Sequence, residues 1–297
     1  MTATRSNFSE LIEPGLKSIY GMNYDQWKPE YDRMFDMETS NQASEEYQEI
    51  TGFGLVPVKT EQQPTTYDDA IQGYKKTLTN ITYSLGFKIT SEMYEDDLYR
   101  QMNNMPKSLA LSVAQTVETL GALIYDRAFN SAYLGADGVS LCSTAHPLPG
   151  GGTYSNRPVE DADLSMTSYE SAMIDIAAFK DGRNKKMHAK PIRLIVTETF
   201  RATAERILQS SGDPDTAERS INPFQNSVDY MVTHYTSDPD AWFIRTSVPG
   251  LICQKRKWPA DMRKDNDFDE DVAKFKTSFR LVYGWYDSRA LYGSAGA

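Results

Sequence analysis

Cysteine is nearly absent: Cys142 and Cys253 are the only two in 297 residues, and their spacing fits no metal motif. So low a thiol content excludes a disulfide scaffold and fits a reducing compartment, where cysteines stay free as packed, inert thiols. Histidine is as scarce, with His146, His188 and His234 alone and no pair at the spacing of helical metal ligands. No apolar run approaches the roughly 18 residues that read as a membrane span. The N-terminus, MTATRSNFSELIEPGLK, has neither the basic start nor the apolar stretch of a secretory signal. Basic charge is in deficit too, with 31 Lys and Arg against 41 Asp and Glu, a net charge of −10. Proteins that grip a phosphate backbone do so by neutralising phosphates. An acidic chain without a long basic run is therefore a poor candidate for tight nucleic-acid binding.

What is present is an ordinary globular composition, 40% hydrophobic and 24% charged. The chain is long enough to bury roughly three quarters of its unfolded surface without disulfide help, and its length suggests one or two domains. Near the N-terminus Phe8, Leu11, Ile12, Leu16, Ile19 and Tyr20 recur at helical spacing, but Pro14 and Gly15 interrupt them and predict only a short helix. Tyr24, Trp27, Tyr31 and Phe35 then recur every three or four residues, as in an arm laid on another surface. From Phe53 the period changes to two. Ile81, Tyr83, Leu85, Phe87 and Ile89 alternate with polar or small residues and predict a half-buried strand. Phe53 to Thr60 is its expected partner, across the polar, turn-rich segment Glu61 to Gly73. Such a two-stranded ribbon is marginal alone in water, so it needs another surface.

A long helix comes next. Ser91 is placed to cap it, Glu92, Glu95, Asp96 and Asp97 favour the positive end of its dipole, and Pro106 is expected to kink or restart it. Leu109, Val113, Val117, Leu120, Ile124 and Ala128 mark one apolar face, with Ser112, Gln115, Glu118 and Thr119 mostly elsewhere on the wheel. The pattern runs to Gly135, and Asp137-Gly138 is a turn signal. Past the flexible run Gly150 to Gly152, Thr167 and Glu170 fit a capping box for a helix extending to Lys180. Pro191 to Thr197 reads as a strand, Glu198 to Gln209 as a helix, and Val228 to Tyr235 and Ala241 to Thr246 as further strands. Near the end Phe275, Thr277, Phe279, Leu281 and Tyr283 share one parity, against Lys276, Ser278 and Arg280.

Few residues invite a chemical reading. His146 lies near Cys142, Ser143 and Asp137, the ingredients of nucleophile and base. Ser143 has no elbow motif around it and the local order matches no triad, so His146, ahead of Pro147, is read as a structural loop residue. Gly150 to Gly152 lacks the spacing and the Lys-Ser/Thr ending of a phosphate loop. The carboxylates Asp68-Asp69, Asp96-Asp97 and the run Asp265 to Asp271 read as solvated faces. One charge pattern supports a sharper expectation. Lys255, Arg256 and Lys257 form a compact basic patch, with Arg263 and Lys264 nearby, and Lys180, Arg183, Lys185, Lys186 and Lys190 form a second. Asp68 and Asp69, at the tip of the ribbon, are expected to meet a basic patch on an adjacent copy and set the register of assembly. Exposed pairs of little energetic worth are the alternative.

The segment Asp137 to Asn156, DGVSLCSTAHPLPGGGTYSN, closes the long helix. Other short signatures follow in order: Arg193 to Thr197 before a helix, Asn222-Pro223-Phe224, Asp238-Pro239-Asp240-Ala241-Trp242, and Phe279 to Tyr283 with Gly284-Trp285-Tyr286-Asp287. From about residue 50 to residue 290 the chain resembles tailed-phage major capsid proteins of the Hong Kong 97 fold, most of all the Mu-like prophage major head subunit family. The resemblance implies an α+β fold. Its parts would be an N-terminal arm (1–49), an extended β-hairpin loop (50–90), a peripheral domain with a long spine helix (91–159), an axial domain (160–250) and C-terminal strands returning to the peripheral domain (251–297). It also implies a structural protein without catalytic, cofactor or metal site. Hexamers and pentamers of the chain would build an icosahedral shell around double-stranded DNA, enclosed without specific binding because a sticky inner wall would hinder packing and release. A portal and a separate scaffolding protein are expected partners, the short N-terminal region leaving no room for a long cleavable scaffold. No membrane partner is expected, and the location is the virion, assembled in the host cytoplasm. Rival readings are an encapsulin-like compartment shell, a hydrolase using Ser143 and His146, and a tail or baseplate building block.

Overall fold

The computed structural model describes residues 8–26, 28–96, 101–212, 221–267 and 271–297. Trp27 and Asp97 lie outside the described residues. The helices are α1 (Phe8–Asp25), α2 (Tyr31–Met34), α3 (Ser91–Glu95), α4 (Gln101–Asp126), α5 (Met166–Ala177) and α6 (Arg201–Gln209). The strands begin with β1 (Asp36–Thr39), β2 (Ser44–Thr51), β3 (Ile71–Thr79), β4 (Ile81–Thr90), β5 (His146–Pro147) and β6 (Thr153–Tyr154). They continue with β7 (Pro191–Thr197), β8 (Asp229–Thr233), β9 (Trp242–Thr246), β10 (Leu251–Asp267), β11 (Val272–Trp285) and β12 (Leu291–Ser294). Two compact units result, one from residues 1–44, 79–121 and 253–283, the other from 45–78, 122–252 and 284–297.

The first unit holds a four-stranded sheet in the order β1-β10-β11-β4. β4 and β11 are antiparallel, with Thr90 opposite Val272 and Ile81 opposite Leu281. Phe87 stacks on Phe275 at 5.2 Å and Tyr83 on Phe279 at 5.5 Å, cross-strand contacts of the kind that stabilise a sheet. The alternation in β11 is as expected, whereas in β4 only Tyr83, Phe87 and Ile89 of the expected face are at least partly buried, and Ile81 and Leu85 are each 52% exposed. The partner of β4 is not Phe53 to Thr60, which forms no strand. Pro57 there cannot donate to a ladder and Gly54 has no side chain to pack, whereas β11 offers a matching aromatic row. Leu16 and Tyr20 of α1 and Leu109 and Ala110 of α4 close the core over Ile89 and Phe275.

Both prolines turn out to be tolerated. α1 continues through Pro14 for 18 residues, and α4 continues through Pro106 for 26 residues, ending at Asp126 and not near Gly135. A proline removes one helical hydrogen bond, and tertiary burial of an apolar face outweighs that loss. α4 is long and apolar enough, by length and composition, to cross a membrane, but half of that stretch is buried in the protein, as in a core helix. The cap residue shifts too: Thr90, not Ser91, opens α3, its hydroxyl accepting the Met93 N–H at 3.2 Å. The clearest departure is Glu118. Instead of lying off the packed face it is 2% exposed, and its two carboxylate oxygens accept the backbone N–H of Glu30 at 2.8 Å and of Tyr31 at 3.1 Å. The carboxylate thus satisfies the start of α2, a helix too short to hold itself.

The second unit is built on the sheet β12-β9-β7-β8, with β7 parallel to β8 and antiparallel to β9. Leu194 and Val196 of β7 and Trp242 and Ile244 of β9 pack against Tyr169, Ala172 and Ile176 of α5 and Ala204, Ile207 and Leu208 of α6. α5 starts two residues earlier than expected, with Ser165 and not Thr167 as its cap. Ser165 and Ser168 cap each other reciprocally, and Thr167 lies inside the helix. β2 and β3 form a separate two-stranded ribbon, joined by residues 52–70.

Removing the Glu118 carboxylate takes the acceptor from one buried amide, Tyr31, and one part-buried amide, Glu30. Glu118→Ala should cost about 3 kcal/mol in urea unfolding of the unassembled subunit, and a loss below about 0.5 kcal/mol would show that the cap is dispensable.

Candidate assembly interface

The ribbon is strongly charged, so its attachment depends on specific pairs. Glu46 of β2 meets Lys75 of β3 at 2.5 Å. Glu49 reaches Arg289 at 2.7 Å, and Arg289, only 6% exposed, also holds Asp287 at 3.0 Å. Lys76 donates to the Leu134 carbonyl at 3.0 Å and lies 5.5 Å over the Trp285 ring, while Tyr47 stacks on Tyr286 at 5.2 Å. At the end of β2, Thr51 is buried against Gly182, where a Cβ would come within 1.9 Å of the threonine methyl. Only glycine lets the backbone approach so closely.

Beyond this base a second set of contacts holds the loop. Asp68 accepts the Gly54 N–H at 2.7 Å and an Arg183 N–H at 2.6 Å, Arg183 also donates to the Asp69 carbonyl, and Lys185 donates to the Phe53 carbonyl at 2.5 Å. The Gly54 amide, and after it Arg183, hold the Asp68 carboxyl below its ordinary pKa. Between these pins the loop is bare. Leu55 is 84% exposed, Val56 94%, Val58 91% and Tyr67 92%.

The residues expected to form assembly contacts are therefore placed as follows. Asp68 is engaged by Arg183 of the second basic region, within one chain. Asp69 is exposed. Lys255 is half-buried, its Nζ 3.3 Å from the Tyr31 hydroxyl and 5.0 Å from that ring, and burial lowers its pKa. Arg256 is half-buried, and the side chain of Lys257 lies outside the described residues. In the sequence Leu55, Val56 and Val58 have the look of a strand face, and nothing local signals that they stay exposed.

His146 is a structural centre. It is fully buried, with Nδ1 2.5 Å from the Asp137 carboxylate and Nε2 2.9 Å from Asn156 Oδ1. Its ring stacks on Tyr154 at 4.9 Å, and Tyr154 lies under the Arg289 guanidinium at 5.1 Å. Asn156 Nδ2 faces the carbonyls of Leu141, Ser288 and Leu291 at 2.8, 2.9 and 2.9 Å, which fixes the amide orientation. Nε2 must then donate. Ser143 Oγ accepts the Ala145 amide instead of meeting the imidazole. The Ser143–His146 hydrolase is thus overturned: both ring nitrogens are engaged and neither reaches solvent. The thiols are no better placed as nucleophiles. Burial pushes Cys142 far above its usual range and Cys253 up to about 11, and reactivity needs the thiolate.

A long helix, two four-stranded sheets and a two-stranded ribbon, with the histidine sealed inside, define a structural shell subunit of the Hong Kong 97 type. Residues 74–294 match the phage capsid protein family, and the chain belongs to it. The fold is similar to the virus-like particle from Pyrococcus furiosus, with TM-score 0.54 and 11% identity over 94% of this chain and 97% of that one. It is similar to a structure from Microbacterium phage Oxtober96, with TM-score 0.53 and 11% identity over 91% and 92%. It is also similar to the bacteriophage JBD30 capsid decorated with minor capsid protein trimers, with TM-score 0.53 and 14% identity over 71% and 92%. No curated protein matches the sequence. The chain is a capsid shell protein and not an enzyme.

The loop pin carries a pH signature. A carboxylate whose folded pKa is depressed contributes stability above its unfolded value, lost as pH falls through the folded one. Asp68→Asn should accelerate hydrogen exchange at the Gly54 amide at every pH. The unmodified chain should show the same acceleration only below the ordinary aspartate value of 3.8; loss of protection already near neutrality would refute the pin.

Proposed function

We propose that this chain is the major head subunit of a tailed phage, most like the Mu-like prophage head subunits, and that hexamers and pentamers of it tile an icosahedral shell. In this reading residues 1–49 are the arm, 50–90 the extended loop, 91–159 the peripheral domain, 160–250 the axial domain and 251–297 the returning strands. Double-stranded DNA fills the shell, a portal and a separate scaffolding protein take part, and assembly takes place in the host cytoplasm. The observation that carries the reading is the tip of the loop. Leu55, Val56 and Val58 stand in water on a ribbon pinned at both its base and its middle. A pinned apolar projection is costly for a monomer and suits a subunit whose neighbour covers it.

The pairing of Asp68 and Asp69 with Lys255, Arg256 and Lys257 of a neighbouring copy belongs to the same proposal. Asp68 is shared with Arg183 and Lys255 with Tyr31, so Asp69 and Arg256 would carry most of it. Such a pair steers encounter more than it adds affinity. A compartment shell with protein cargo is the rival, because the Pyrococcus furiosus virus-like particle has a similar fold. DNA-filled heads bearing a portal favour the phage reading, and small uniform shells with protein inside favour the rival.

Val56→Asp combined with Val58→Asp should abolish particles in electron micrographs while leaving the thermal midpoint of the subunit unchanged, since both sites are exposed. Normal shells from that variant would remove the loop tip from the assembly mechanism.

A further inference from the structure

The outer face of the β4–β11 pair carries positive charge. Along β11 the residues turned from the core are Lys274, Lys276, Ser278, Arg280 and Val282, alternating with buried Ala273, Phe275, Thr277, Phe279 and Leu281. The matching face of β4 shows Thr82, Ser84, Gly86, Lys88 and Thr90, all exposed. Neither strand contains a single Asp or Glu, in a chain whose net charge is −10. The register sets Lys274 directly opposite Lys88 and Arg280 opposite Thr82. Lys88, Lys276 and Arg280 form no ion pair among the described residues. β10, next in the sheet, adds exposed Arg263 and Asp265.

The chemistry of this face suits phosphate better than protein. Its cations and hydroxyls, from Lys, Arg, Ser and Thr, are the groups that contact a nucleic-acid backbone. Protein interfaces instead centre on apolar and aromatic anchors and are depleted in lysine, and here Val282 is the only apolar side chain. From Lys274 to Arg280 the stripe is about 20 Å long at the usual rise of a strand.

We propose that this face contacts the phosphate backbone of duplex DNA, weakly and without regard to sequence. It rests on the capsid reading only for the identity of the polyanion. Weak contact fits a wall that must also release its contents, and the salt dependence follows from counterion release. Three phosphate contacts, by Lys88, Lys276 and Arg280, predict an affinity loss of about 40-fold between about 50 and about 200 mM salt.

The test is fluorescence anisotropy of the unassembled full chain with a labelled random-sequence duplex. K88Q/K276Q/R280Q should weaken binding at least about tenfold at low salt and flatten the log–log salt slope by about 2.7, with an unchanged thermal midpoint. K88R/K276R should retain both affinity and slope, which guards against a folding artefact. Unchanged binding in the triple variant overturns the proposal. So does a chain that takes polyglutamate but not duplex, which would assign the face to an acidic protein. Micrographs of the triple variant keep the two readings apart: shells that still form while duplex binding is lost support the DNA face and leave the capsid reading standing. Duplex binding by a chain that never forms shells supports the face and counts against the capsid reading.

Discussion

Apolar side chains held in water by a rigid mount are the constraint from which the assembly behaviour follows. A valine or leucine gains about 1.5–3 kcal/mol on full burial, and Leu55, Val56 and Val58 have gained almost none of it. A floppy loop could hide them by collapsing onto its own chain. This loop cannot, because Arg183 and Lys185 hold its shoulders and Glu49, Lys76 and Tyr47 hold its base. Preorganisation of this kind lowers the ordering cost of covering an apolar surface when a partner arrives.

The mount is polar where a core would be apolar, and that choice has a physical consequence. Arg289 is almost fully buried, and burial alone would disfavour its charge, but Asp287, Tyr154 and Glu49 around it keep it protonated. Burial likewise raises the Asp287 carboxyl, against the pull of Arg289. Buried pairs of this sort add little net stability compared with apolar packing, yet removing one partner is severe. Their use is geometric: Glu49, Arg289, Tyr154, His146 and Asp137 form one connected series from the ribbon to the loop after α4. The histidine that looks chemical in the sequence is a joint in that series.

What could be read from the sequence divides along the range of the interactions involved. β7 was legible as PIRLIVT because a run of apolar residues bounded by proline needs no partner to be recognised, and β11 because its alternation survives on one strand. The partner of β4 was not legible: its alternation states that one face is buried, and the matching aromatics of β11 lie almost two hundred residues away. β2, reading SEEYQEIT, resists recognition for the same reason, since Glu49 finds Arg289 across 240 positions. Glu118 looks like a solvent residue until the amides of Glu30 and Tyr31 are seen to need it. Pro14 and Pro106 look like helix breaks because local propensity carries no record of the burial that overrides it. The aliphatic tip of the loop was visible as residues, but its exposure is a negative fact that only a folded chain can state.

Charge repeats this lesson at the scale of the molecule. A net charge of −10 argues against strong attraction to DNA when the whole chain is summed, but a phosphate close to the surface responds to charges within about 10 Å, the screening length at moderate salt. Lys88 and the basic residues of β11 are separated by nearly two hundred positions in sequence, and antiparallel register alone brings them to one face. No basic run announces them, because alternation places a buried residue between each exposed pair. An acidic chain can thus be repulsive to a polyanion on average and still present a local stripe of cations to one.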